Sequence, residues 1–98
     1  MAFKPKPERV LHLETLLNGY RLNIDPLPRE QAEKLGDSPD MVRVHLCTLH
    51  LPLLSHYEDW MVQQLGGVCH MEMKKIRSGL AKLHRKSVDE LYPWLQNS

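Results

Sequence analysis

The stretch Asp37–Pro52, DSPDMVRVHLCTLHLP, decides the fold class. Val42, Val44, Leu46 and Thr48 alternate with their neighbours, which is the period of a β-strand. The start of the stretch argues the other way. Ser38 is a favoured helix N-cap residue, Pro39 suits the first helical position, and Asp40 complements the positive end of a helix. Such cap chemistry belongs to one kind of element, whereas alternation inside a largely apolar run belongs to either. Residues 42–50 are therefore read as helix rather than strand. Pro52 lacks a backbone donor and crowds the turn before it, so the helix is expected to kink or end there.

Reading toward the C-terminus, Leu54, Tyr57, Met61 and Leu65 continue an apolar stripe to Gly66–Gly67, a helix stop and turn. Val68–Lys86 is expected to be the clearest helix, with Met73, Ile76, Leu80 and Leu83 on one face. SVDE, Ser87–Glu90, matches a capping box and predicts a short last helix, with Val88, Leu91 and Trp94 inward and Pro93 shaping it. Toward the N-terminus, Pro28–Leu35 reads as a short polar helix closed by Gly36. Tyr20, Leu22 and Ile24 alternate in an extended connector, with a small hairpin as the minority reading. Pro7–Asn18 is helical, with Val10, Leu13, Leu16 and Leu17 on one face and Gly19 as its stop. Residues 1–6 read as an extended basic arm, since Pro5 and Pro7 bias their neighbours away from helix. The sum is a single helical domain over 7–98: all-α, a compact irregular bundle of four to six short helices, with room for a short extended segment near 20–24.

Composition bounds the function. At 98 residues, 42% hydrophobic and 26% charged, the chain supports one modest core. Nothing approaches the ~20 apolar residues of a membrane span, and the N-terminus lacks the apolar region of a signal peptide, so no membrane is expected. Cys47 and Cys69 are too few for a disulfide framework. Free thiols in a reducing cytoplasm are the expectation.

His45–His70 holds both cysteines and four of the six histidines. Cys47, His50, Cys69 and His70 are the candidate zinc ligands, with His45 and His56 as spares. Cys47 and His50 share a helix face, but the adjacent Cys69 and His70 diverge on a helix, and the spacing fits neither a finger nor a ribbon. A packed, metal-free core explains the same residues, because free cysteine packs like a small hydrophobe. The expectation is no metal and no cofactor. The same cysteines and histidines could pair for nucleophilic catalysis, but no glycine-rich elbow or phosphate loop accompanies them, and no enzyme is expected. Glu58 and Asp59, adjacent on a helix, point apart.

The net charge of +1 hides an asymmetry. Leu22–Glu72 carries eight acidic and three basic residues; Met73–Val88 carries six basic residues and none acidic. Lys74, Lys75, Lys82, Arg85 and Lys86 project opposite the apolar stripe, with Arg77 at its flank. A solvated face is the plain reading, and a docking face for a partner is the sharp one. The helix has no aromatic for base stacking and no Asn or Gln for base edges, which leaves phosphate contact as its route to nucleic acid. Tyr92 and Trp94 join the basic residues as candidate partner-binding anchors, whereas Trp60 is expected in the core. Pro26, Pro28 and Pro52 between structured segments bring in a host prolyl isomerase as a further partner class, although nothing in the sequence demands one.

The length and the segments HLPLLSHYEDWMVQQLGG and MKKIRSGLAKLHRKSVDELYPWLQ resemble small phage-encoded accessory proteins of the anti-RecBCD type. The resemblance implies a regulator that binds a host recombination nuclease and alters its activity; it rests on no diagnostic motif and carries no functional residues over. The favoured expectation is a non-catalytic regulatory or inhibitory protein that binds a larger host protein such as a DNA-processing nuclease or helicase. A small nucleic-acid binder using helix 73–86 is the alternative, and a zinc-stabilised interaction module is the third reading.

Overall fold

The computed structural model describes residues 7–97. Among them are five α-helices, α1 (Pro7–Asn18), α2 (Arg29–Glu33), α3 (Pro39–Leu49), α4 (Leu51–Gln64) and α5 (His70–Leu91), then a closing 3-10 turn, Pro93–Asn97, and no strand. The chain is all-α. The expected arm, residues 1–6, lies outside the described residues.

Local chemistry sets the boundaries. Ser38 Oγ accepts the Met41 N–H at 3.3 Å, so the cap that argued for helix over 42–50 is made. The backbone leaves the helix at His50, with φ −93° and ψ 6°. Pro52 then falls in the first turn of α4, where its missing donor costs nothing. Gly66 and Gly67 take φ of +69° and +97°, which side-chain-bearing residues rarely adopt, and turn the chain from α4 into α5. Gly36 is required for a different reason. A Cβ there would lie 2.7 Å from Met41 Cβ and 2.9 Å from Val42 N, so only glycine lets the preceding loop rest on the first turn of α3. Residues 20–24 run as a connector without a strand partner.

Two expectations are corrected. No new helix starts at Ser87: α5 continues to Leu91 as one helix of 22 residues, about 33 Å long, and Ser87 is buried within it. Trp60 is not a core residue; it is 41% exposed on α4.

The layout follows from α5. Its buried residues Glu72, Ile76, Leu80, His84 and Val88 recur every four positions. An α-helix turns ~100° per residue, so each step of four overshoots a turn by ~40°, and the buried line winds ~160° around α5 between Glu72 and Val88. Neighbours must therefore lie on different sides at its two ends. Toward its start, Ile76 and Leu80 pack with Leu13 of α1, Tyr20, and Met61 and Leu65 at the end of α4. Toward its end, Val88 packs with Ala32 of α2, Val42 and Leu46 of α3, Tyr92 and Leu95. Leu22 of the connector packs against both clusters. Gly79 seats Leu17 of α1 where a Cβ would collide with its methyl groups.

Candidate functional site

All six basic residues singled out on α5, Lys74, Lys75, Arg77, Lys82, Arg85 and Lys86, are exposed. They do not form one uniform array. Lys75 Nζ reaches Glu14 of α1 at 3.2 Å, and Arg77 Nε reaches Glu58 of α4 at 3.2 Å. These two cations flank the helix and close its seams with its neighbours. Lys74, Lys82, Arg85 and Lys86 have no ion-pair partner among the described residues. They extend over 13 residues of helix, about 18 Å from first to last. Exposed ion pairs contribute little to stability, on the order of 0–1 kcal/mol, so none of these charges is needed to hold α5 in place.

The ridge has a mixed end. Lys82, Arg85 and Lys86 share a shallow open hollow with Asp89, Glu90 and Gln96. Asp89 is also gripped by Arg43 of α3, Oδ1 to Nε at 2.6 Å, and Arg43 bonds Asp40 in turn. The hollow thus presents cations and carboxylates side by side.

The aromatic anchors divide. Tyr92 has no exposed surface, which corrects its place in the expected partner-binding set: it is a core residue. Its hydroxyl accepts the Leu27 N–H at 3.0 Å and lies 2.9 Å from His50 Nε2. Trp94 is half-buried, set edge-on against the Tyr92 ring, with the Arg29 guanidinium 5.1 Å above its centroid. That cation–aromatic contact fixes α2 against the closing turn.

The candidate metal ligands are separated. The Cys47 carbonyl accepts from His84 of α5, 15 positions after Cys69, which caps the start of that helix. Fifteen residues of helix put the two cysteines on the order of 20 Å apart. Among the described residues no group of three or more His, Cys, Asp or Glu side chains is placed to hold a metal ion. Cys47 and Cys69 are free thiols. Burial pushes the Cys47 thiol up, outweighing the nearby Arg85, which disfavours the thiolate that a nucleophile or ligand needs. His50, proposed beside it, spends Nε2 on Tyr92.

Sequence reasoning passed over two buried polar residues, His84 and Glu72. Each occupies the four-residue rhythm that carries Ile76 and Leu80, and that rhythm is the signal that marks them. His84 bonds on both sides, Nε2 to the Cys47 carbonyl at 2.9 Å and Nδ1 to Tyr20 Oη at 2.7 Å. Burial pushes the Tyr20 hydroxyl up to about 12, so it keeps its hydrogen. Glu72 receives Arg9 of α1 and caps the Cys69 N–H at 3.1 Å. No helix among the described residues is long and apolar enough to cross a membrane.

Compared with protein-family models, with curated proteins and with solved structures, the chain has no match in any of the three.

Proposed function

We propose that the chain is a non-catalytic binding protein that docks the exposed ridge of α5 onto an acidic surface of a larger partner protein in the cytoplasm. The single observation that carries this reading is the set of Lys74, Lys82, Arg85 and Lys86, exposed and without an ion-pair partner among the described residues while Lys75 and Arg77 beside them are paired. Cations left unpaired along one helix steer association and fix its register. Asp89 and Glu90 in the hollow with Lys82, Arg85 and Lys86 favour a protein over nucleic acid, because they would repel a phosphate backbone and complement basic groups at the edge of an acidic protein patch. The resemblance of the α4 and α5 segments to anti-RecBCD accessory proteins directs the search toward a host nuclease or helicase that works on DNA.

The test is crosslinking in host extract at low salt, with the wild-type chain and the variant Lys82→Glu/Arg85→Glu/Lys86→Glu side by side, alongside duplex DNA binding across a salt series. A protein captured by the wild type and lost with the variant supports the reading. Equal capture by both chains overturns it. Tight DNA binding that falls steeply with salt transfers the ridge to phosphate instead.

A further inference from the structure

Residues 19–28 form no helix or strand, yet both ends of this connector are fastened by a tyrosine paired with an imidazole. At its start, Tyr20 Oη lies 2.7 Å from His84 Nδ1. Near its end, the Leu27 N–H donates to Tyr92 Oη, which lies 2.9 Å from His50 Nε2. Tyr20, His84, His50 and Tyr92 are all buried.

The hydrogen-bond network assigns the hydrogens. His84 Nε2 faces the Cys47 carbonyl, which only accepts, so Nε2 donates. In the neutral ring Nδ1 is then bare and accepts from the Tyr20 hydroxyl. Tyr92 Oη already accepts from Leu27, and its own hydrogen points to His50 Nε2. In both pairs the tyrosine donates and the neutral imidazole accepts.

A proton on either imidazole reverses its pair. The new N–H must donate to the tyrosine oxygen, and the buried hydroxyl hydrogen loses its acceptor. His84 faces Tyr20 of the connector, backed edge-on by Tyr57 of α4, with Cys47 of α3 on its other side. His50 faces Tyr92 and the field of His84. The charged groups acting on Cys47 beside them are Arg85, Asp89 and Arg43, and Arg43 is committed to Asp89. Among the described residues no carboxylate pairs with either ring, so an added proton gains no counter-charge. Burial first, and His84 second, hold His50 below the ordinary histidine range.

We propose that residues 19–28 are an acid-released strap: protonation of His50 and His84 unfastens both ends and opens the hollow between the strap and α4, whose lining includes the cation Arg21 and the imidazole of His56 beside Ile24, Leu53, Tyr57 and Trp60. This inference is independent of the ridge on α5.

Amide hydrogen exchange on the full chain, converted to protection factors between about pH 7 and pH 5, tests it. The Leu27 amide is expected to lose protection up to about tenfold per pH unit for each proton taken up, while Ile76 and Leu80 of α5 hold theirs. In His50→Gln the loss at Leu27 is expected to disappear. Constant protection at Leu27, loss in step with α5, or an unchanged loss in His50→Gln would each overturn the strap. Should that variant fail to fold, the wild-type imidazole titrations read by NMR decide instead: the Leu27 midpoint coinciding with that of His50 supports the proposal, and any other midpoint overturns it.

Discussion

Arg9 of α1 and Glu72 of α5 form a two-pronged ion pair, Nε to Oε2 at 2.7 Å and Nη2 to Oε1 at 3.1 Å. The same guanidinium donates to the Leu65 carbonyl at 2.8 Å and to the Gly67 carbonyl. One side chain therefore ties α1 to the end of α4, to the glycine turn and to the first turn of α5. Planar, many-donor geometry is what arginine supplies and lysine does not.

The Arg9 hydrogen bond, more than offsetting burial, holds the Glu72 carboxyl below its usual 4.5. A carboxylate depressed in the folded state contributes stability above its unfolded value, and that contribution is lost as pH falls through the folded value. Arg9→Met is expected to lower the melting temperature most at neutral pH. The gap to wild type should narrow as pH falls through the ordinary carboxyl range, where Glu72 without Arg9 takes up its proton before the wild-type carboxyl does. Thermal melts at a series of pH values check this; a gap that stays constant across the series would assign Arg9 to packing rather than charge.

Tyr92→Phe is expected to cost about 1–3 kcal/mol, because the Leu27 N–H and the acceptor at His50 lose their partner together in a buried site. Urea unfolding of the variant measures it. A cost under about 0.5 kcal/mol would show that the hydroxyl is dispensable there.

Gly36→Ala is expected to destabilise by about 1–3 kcal/mol, since the added methyl meets the backbone of Val42 and the Cβ of Met41 rather than a side chain that can swing away. Its measurement is the shift of the denaturant midpoint at unchanged slope.

The contrast between Ser38 and Ser87 shows what the sequence discloses. Both precede an acidic residue in a pattern that fits a helix start, and only Ser38 caps one. Ser38 follows Gly36 and precedes Pro39, so helix geometry is interrupted before it. Ser87 follows uninterrupted helix formers, and the ladder through His84 and Val88 keeps the helix in register. The capping box was a local signal overruled by burial at long range. His84 and Glu72 stand in the four-residue rhythm of Ile76 and Leu80, but what they bind was hidden for the same reason. Their partners, Tyr20 and Arg9, lie 64 and 63 positions away, and no local pattern announces them. The basic ridge was legible because it depends on helix phase alone. Which of its cations are paired depended on where α1 and α4 pack, and so was not. Tyr92, one further step of four beyond Val88, falls in the core at the end of a buried line whose ~160° winding no single-face projection contains.

Ser87→Ala follows from that correction. A lost N-cap costs about 0.5–2 kcal/mol, whereas alanine inside a helix is the better helix former by a few tenths. The variant is expected to fall within about 0.5 kcal/mol of wild type. A loss above about 1 kcal/mol would restore a helix boundary at residue 87.

Neutralising the ridge separates binding from folding. Arg85 and Asp89, and Lys86 and Glu90, stand four residues apart on α5, in the order with the cation nearer the N-terminus, the weaker arrangement on a helix. Each such pair contributes roughly 0.2–0.5 kcal/mol at most. Basic residues in the second half of α5 also complement its negative end, but that effect fades beyond the last turn. Lys74→Gln/Lys82→Gln/Arg85→Gln/Lys86→Gln is therefore expected to keep its helical circular dichroism and to lose no more than about 1 kcal/mol, read by urea unfolding. Partner capture, by contrast, should fall with each charge removed and should weaken as salt rises, because exposed charges are screened over about 10 Å at 0.1 M. A quadruple variant that unfolds would mean that the four cations serve the fold, and the ridge would then need no partner to account for it.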